Sequence, residues 1–341
     1  MLFSFKISNK ESINEKDEVN ISIVISAKNE SKNITELIEC LSNLEYTPES
    51  FEVLLIDDNS TDDTLNLIRE KTKHLASFSV LSIKNSGKRG KREALSFGIS
   101  NSKYPYVLIS DADCRPEKNW IKSFSNKFIQ GYDFIFGVAP FYQHKGLVNR
   151  ISCFENLRGQ MLSFSMASVG LPYTAAARNF GFSKSAFDFV GGYSKTNDTL
   201  SGDDDLLLRE AVKAKLKIGT VVETDSFVYS DSKKTLSQYF HQKARHTQTS
   251  FHYLKRHQLI LGSWHTLNLV FLFSPFLMLI NPLYSILFPA KFCIDFIAVK
   301  SIQKKFSYKF SVLEIFYLQI LYEFFLIIHF FRARFTKVKW K

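Results

Sequence analysis

The sequence predicts an α/β fold with a mostly parallel sheet, followed by C-terminal membrane helices. Three observations predict it. Short β-branched runs alternate with amphipathic helical segments from Ile21 to Val138, the pattern of a parallel sheet. Two of those runs end in paired acids, Asp57-Asp58 and Asp111-Ala112-Asp113, where open α/β sheets bind ligands. Trp264 through Ala290 contains no Asp, Glu, Lys or Arg, more than the roughly 20 apolar residues needed to cross a bilayer.

The elements follow in order. Ile21 to Ser26 reads as a buried strand, and Ile34, Leu37, Ile38 and Leu41 recur at the spacing of one helical face. Phe51 to Ile56 is a second strand running into Asp57 to Asp62, with Ser60 or Thr61 expected to cap the next helix. Phe78 to Ile83 is a third strand and Lys91 to Ile99 a helix. Val107 to Ser110 is a fourth strand, a helix lies around Trp120, and Asp133 to Val138 is a fifth strand. Leu236 to His246 mixes aromatic and basic residues and reads as an amphipathic helix at a membrane surface. Tyr142 to Ala177 shows no motif, although Glu155, Asn156 and Arg158 are a candidate acceptor-facing cluster.

The acids carry the chemistry. Asp111 and Asp113, one residue apart, suit a hard divalent cation, Mg²⁺ or Mn²⁺, which would neutralise a diphosphate. A nucleotide or nucleotide-sugar is the implied substrate. Asp58, at a strand tip, is placed to accept hydrogen bonds from a base or ribose. Lys88, Arg89, Lys91 and Arg92 cluster at a loop-to-helix junction, which favours phosphate. Gly202-Asp203-Asp204-Asp205 offers carboxylates to activate a hydroxyl nucleophile as general base. Like charges in sequence raise one another's pKa, which suits a base and equally describes an acid-rich helix start.

Seven motifs in order resemble family 2 glycosyltransferases. They are S-A-K-N-E at Ser26 to Glu30, D-D-N-S-T-D at Asp57 to Asp62, G-K-R-E-A-L at Gly90 to Leu95 and D-A-D at Asp111 to Asp113. R-N-F-G-F at Arg178 to Phe182 leads to V-G-G-Y at Val190 to Tyr193, then G-D-D-D at Gly202 to Asp205 and Q-K-A-R-H at Gln242 to His246. The resemblance spans residues 20 to 255 and implies the GT-A nucleotide-diphospho-sugar transferase fold, Rossmann-like, with an inverting reaction. It implies that Asp58 contacts the uracil of a UDP-sugar, that Asp113 holds the metal, and that Asp111 holds the sugar-nucleotide, the metal or a metal-bound water. Asn29, Glu30, Lys91 and Asn179 join the substrate-binding set by their motif positions. Asp204 is the implied base with Asp203 shaping the site, in a register that can slip by one residue. Gln242 to His246 resembles the Q-x-x-R-W signature of processive synthases and ceramide glucosyltransferase, with His246 where tryptophan is expected. Gln242, Arg245 and His246 are therefore expected at the substrate, with Arg245 as a diphosphate clamp.

Charge and hydropathy locate the expected enzyme. From Lys291 onward 10 Lys or Arg face three acids, so seven of the formal net +11 lie in the last 51 residues. Such a basic tail matches anionic headgroups on the cytoplasmic side. Nucleic acid is a weaker partner, because the basic residues alternate with apolar spans. The polar stretch to Asn20 lacks a signal-peptide core, and the four scattered cysteines, Cys40, Cys114, Cys153 and Cys293, agree with a reducing compartment. The expected organisation is an extension over 1–20, a catalytic domain over 21–235, an interfacial segment over 236–263 and a transmembrane hairpin or single span over 264–299. A basic loop, second apolar helix and basic tail fill 300–341. Val312 to Phe331 carries Glu314, Gln319, Glu323 and His329, which fits an interfacial helix as well as a span. The expected function is transfer from a nucleotide-sugar to a lipid or glycan acceptor at the plasma membrane, with the catalytic domain cytoplasmic. The alternative is a catalytically silent membrane scaffold or nucleotide-sugar sensor.

Overall fold

The computed structural model describes residues 18–84, 86–199 and 202–335. Most of the expected 1–20 extension and the end of the basic tail lie outside the described residues. The chain forms two compact units, Met1–Ala139 with Ser163–Asp198 and Gly202–Asp231, and Pro140–Leu162 with Thr199–Ser201 and Ser232–Lys341.

In the first unit, β1 (Ile21–Ala27), α1 (Ile34–Ser42), β2 (Phe51–Asp57), α2 (Thr64–Thr72), β3 (Phe78–Ser82), α3 (Lys91–Asn101) and β4 (Tyr106–Asp111) alternate as the periodicity predicts. β5 (Cys114–Pro116), α4 (Trp120–Ile129) and β6 (Phe134–Gly137) follow. The chain then runs through α5 (Leu147–Ser168), which starts in the second unit, and returns as β7 (Phe180–Ser183), α6 (Lys184–Phe189), α7 (Asp203–Lys213), β8 (Ile218–Val221) and β9 (Val228–Ser230).

The main sheet has the order β3-β2-β1-β4-β7-β6-β8. Four pairings are parallel and two, β4 with β7 and β6 with β7, antiparallel, so the sheet is mixed rather than uniformly parallel. β1 is buried on both faces because its side chains alternate between two helix layers. Ile21, Ile23 and Ile25 pack with α1 and α4, whereas Val24 meets α3 at Gly98. The helix after β2 begins at Thr64, and neither Ser60 nor Thr61 caps it. Ser60 Oγ accepts from Asn29 N, and Thr61 donates its N–H to Asn29 Oδ1.

Register decides where a ligand can bind. Ala27 pairs with Asp57, and Ser26 with Asp111, so β1, β2 and β4 end level. Strand order reverses between β1 and β4, which makes this carboxyl edge a topological switch point.

The second unit is helical: the first part of α5, then α8 (Leu236–Ser250), α9 (Lys255–Leu277), α10 (Leu287–Ile302) and α11 (Val312–Phe335). Lys255–Leu277, Pro282–Phe306 and Val312–Phe335 are long and apolar enough to cross a membrane. Many of their large side chains face outward: Phe276 is 71% exposed and Leu313 72%. Such a surface is a liability in water and the expected one in lipid. The chain turns at Met278 to Asn281, between α9 and the 3₁₀ turn Pro282–Ile286. Gln319, Glu323 and His329 of α11 are turned inward and buried.

Candidate active site

The site is assembled at the carboxyl edge of β1, β2 and β4 and at the start of α7. Asp57 is fully buried and structural, accepting from Ser60 N at 3.2 Å and Ser82 Oγ at 3.1 Å. Asp58, the next residue, is also buried. Its Oδ1 accepts from Gly90 N at 2.9 Å, and Lys28 Nζ lies 3.8 Å from Oδ2. Gly90 has φ +97°, a conformation that L side chains rarely adopt, and it turns the loop directly into α3. Asp58 thus fixes the entry to α3, whose first residue is Lys91.

Lys91 is the hinge of the site. Its Nζ lies 2.6 Å from Asp111 Oδ1 and 3.4 Å from Asp203 Oδ2. Burial works against the ammonium charge, but Asp111 and Asp203 outweigh it and hold the amine above its ordinary range. One cation therefore joins the end of β4 to the first turn of α7.

The three acids of that turn diverge. Asp203 faces Lys91. Asp204 Oδ2 accepts from Ala177 N at 2.6 Å, and Asp205 Oδ1 accepts from Thr174 Oγ1 at 2.6 Å and Ala175 N at 3.1 Å. Burial, then Asp205 and Asp203, push the Asp204 carboxyl well above the usual carboxylate range, with Lys91 opposing. The Thr174 to Ala177 segment that anchors these acids carried no readable motif, and the contact emerges only in the fold.

Asp111, Asp113 and Cys114 present ligand atoms within 4.8 Å of one another. Two carboxylates suit Mg²⁺ or Mn²⁺, whose remaining positions a diphosphate and water can fill. Cys114 does not suit them: burial, then Asp113 and Asp111, push its thiol well up and keep it protonated. The donor set therefore fits a hard cation held by Asp111 and Asp113 alone.

The sequence-predicted residues divide into three groups. Asp58, Lys91, Asp111, Asp113, Asp203 and Asp204 share the carboxyl edge of the sheet and the start of α7. Asn29 and Glu30 border it, joining the loop after β1 to the loop after β2: Asn29 accepts from Thr61, and Glu30 N donates to Thr64 Oγ1 at 2.8 Å. Asn179 does not join them. It is completely buried, its Oδ1 accepting from Trp120 Nε1 at 2.9 Å and its Nδ2 donating to Val138 O at 2.7 Å, so its amide is consumed in the core.

Gln242, Arg245 and His246 lie on α8 in the second unit, with Gln242 and Arg245 half-buried and His246 exposed. That helix is held by Glu155, which receives the Tyr239 hydroxyl, Lys243 Nζ at 3.1 Å and His329 Nε2 at 3.4 Å. Burial disfavours the Glu155 charge, but Lys243, His329 and Tyr239 hold its carboxyl well below the ordinary range. Arg158 pairs with Asp295, and Asn156 accepts from Tyr308. The cluster expected to face an acceptor is thus engaged with α8, α10 and the segment before α11.

The glycosyl transferase family group 2 model matches residues 106–326, and the glycosyl transferase family 2 model matches residues 22–188. The chain belongs to glycosyltransferase family 2. Curated relatives of this family 2 enzyme include a dolichyl N-acetyl-alpha-D-glucosaminyl phosphate 3-beta-D-2,3-diacetamido-2,3-dideoxy-beta-D-glucuronosyltransferase from Methanococcus voltae. It is 34% identical over 143 residues, 41% of this chain and 42% of the relative. A beta-monoglucosyldiacylglycerol synthase from Nostoc sp. is 27% identical over 205 residues, 55% of this chain and 40% of the relative. The matches therefore span about two-fifths of the length of these relatives. Among solved structures, the mannosyltransferase PcManGT from Pyrobaculum calidifontis, in complex with GDP-Man and Mn²⁺, superposes with a TM-score of 0.60 at 14% identity, covering 95% of this chain and 89% of that one. The glycosyltransferase shares its GT-A fold.

Proposed function

We propose that this glycosyltransferase is a membrane-bound inverting enzyme that moves a sugar from a UDP-sugar to a lipid or glycan acceptor. The observation that carries the reading is the Lys91 bridge. It neutralises Asp111 and Asp203 while leaving Asp204 beside them with a raised pKa, the property expected of a general base.

Asp58 reads the base or ribose. Asp111 and Asp113 would hold Mg²⁺ or Mn²⁺, which when bound would offset negative charge on the diphosphate. Lys91 adds a fixed cation at the start of α3, where the helix N-terminus also favours phosphate. Asp203 positions Lys91. The acceptor hydroxyl gives its proton to Asp204 as its oxygen bonds to the anomeric carbon. The bond from that carbon to the diphosphate oxygen breaks, and its electron pair leaves with UDP. Gln242, Arg245 and His246 of α8 are assigned to the diphosphate and sugar, with Arg245 as the bidentate donor.

The apolar helices anchor the enzyme in the plasma membrane with its catalytic unit in the cytoplasm. This side agrees with Lys304, Lys305 and Lys309 in the short connection between α10 and α11. UDP release from a UDP-sugar panel in Mn²⁺, with product anomers assigned by NMR, tests the proposal. Transfer with retained anomeric configuration, or none with any UDP-sugar, would refute it.

A further inference from the structure

The two acids assigned to the cation are held by different means. Asp111 ends β4, where Lys91 reaches its carboxylate. Asp113 lies in the turn of Ala112 and Asp113 between β4 and β5, so its place depends on what fixes that turn. The exit strand is fixed by backbone pairing, Cys114 with Ser230 and Arg115 with Tyr229 of β9. Side chains hold the turn itself. Arg115 Nη1 donates to Asp113 O at 2.8 Å, and the Cys114 thiol donates to Asp113 Oδ1 at 3.6 Å.

Arg115 is itself anchored. Its Nη2 donates to Glu36 Oε2 at 2.6 Å and its Nε lies 2.6 Å from Glu36 Oε1, a two-point pair that sets the plane of the guanidinium. Glu36 stands in the first turn of α1, whose Ile34, Leu37, Ile38 and Leu41 are buried in the core, so the anchor is rigid. That helix starts from the loop after β1, where Glu30 O accepts from Ile34 N at 2.9 Å. The loop bordering the site and the turn that carries Asp113 therefore share one support, α1.

Charge is not what Arg115 offers a cation. A guanidinium next to a divalent ion is unfavourable by Coulomb's law alone. Here it is masked, since Glu36 takes two of its N–H groups and Asp231 Oδ2 lies 3.9 Å from Nη2. What remains is geometry. We propose that Arg115 is the positioning residue of the metal turn, tying the Asp113 backbone to Glu36 of α1 so that the Asp113 carboxylate is placed to ligate a divalent cation. The assignment rests on the metal role given above to Asp111 and Asp113.

The test is titration calorimetry of UDP into the full chain in detergent, in Mn²⁺ and in EDTA. An Arg115 that acted by charge would, when removed, weaken binding of the diphosphate anion more in EDTA than in Mn²⁺. An Arg115 that acts on the metal turn gives the reverse. Arg115→Met should weaken UDP binding about fivefold in Mn²⁺ and leave it within about twofold in EDTA, below the roughly 10–100-fold cost of losing a metal ligand's own hydrogen-bond partner, because Arg115 works through the backbone. Arg115→Lys keeps the charge but cannot fork to Glu36 and reach Asp113 O together, so it should show the same pattern in lesser degree. The acids left behind by Arg115→Met have side chains 55% and 56% exposed, which water can solvate. Should that variant still fail to fold, Glu36→Ala, which removes only the anchor, should cost about threefold in Mn²⁺ alone. Equal losses in Mn²⁺ and EDTA, or none in either, overturn the positioning role. Equal wild-type affinity in the two conditions would instead remove the cation, and the metal role of Asp113 would fall together with this proposal.

Discussion

Arg158 on α5 lies 3.3 Å from Asp295 on α10, and both side chains are 7% exposed. Asp295 also accepts from Lys291 and from Gln319 at 3.0 Å, while Lys291 reaches Glu323 at 3.4 Å. Two cations and two anions thus form a neutral network among apolar helices, where an unpaired charge is expensive. Removing one member of a buried pair typically destabilises by about 3–5 kcal/mol, whereas replacing both by apolar groups is often neutral. Asp295→Leu should therefore lower the melting temperature in detergent more than Arg158→Leu, because Asp295 has three partners. The Arg158→Leu/Asp295→Leu double variant should be less damaged than the sum of the singles. Additive losses would mean that the pair is not coupled.

For Asp204, function and stability should separate. Asp204→Asn should keep UDP binding and lower transfer by about 100-fold or more, as for loss of a general base. If Asp203→Asn shows that pattern and Asp204→Asn does not, the base lies one residue earlier.

The sign of the accompanying pH effect follows from the raised carboxyl. Between the ordinary value of 3.8 and its raised folded value, the folded state binds more protons than the unfolded one, so stability falls as pH rises through that window. Asp204→Asn should then be at least as stable as wild type at pH 7–8 and no more stable near pH 3. Denaturant melts at the two pH values measure this. A variant less stable at neutral pH would contradict the environment assigned to Asp204.

Much of this was legible in residue patterns, and the rest was not for identifiable reasons. β1, β2 and β4 could be read because strands buried on both faces need unbroken apolar runs, and the acids that end them are local signals. β7 could not, since Phe180 to Ser183 is four residues long and its antiparallel direction depends on partners more than 40 residues away. The roles of Lys91 and Asp203 were visible separately, but their contact spans 112 positions. Asn179 sits in a family motif, yet its position beside Trp120 decides that it is structural. The polar residues of α11 left an interfacial helix and a span equally open, because their partners on α10 cannot be seen from one segment.

Metal dependence isolates Asp113. Asp113→Asn should weaken UDP binding in Mn²⁺ by roughly tenfold or more and change it little in EDTA, since a carboxylate ligand matters only when the cation is present. Isothermal titration of both proteins under both conditions supplies the comparison. Wild-type affinity that is the same in Mn²⁺ and EDTA would remove the cation from the binding role.

Membrane topology can be checked at two described positions. α11 has 24 residues, about 36 Å at the usual helical rise, enough for a hydrocarbon core of roughly 30 Å. Its inward Gln319 is satisfied by Asp295 and Glu323, so these polar groups do not prevent a full span. With the catalytic unit in the cytoplasm, three spans place Ser307 on the cytoplasmic side and Arg334 outside. In sealed cells expressing a variant without the exposed Cys293, an impermeant thiol reagent should spare Ser307→Cys and modify Arg334→Cys. Modification at Ser307 would reverse the orientation. Protection at both positions would lay α11 along the interface, the arrangement in which the basic end of the chain stays with anionic headgroups.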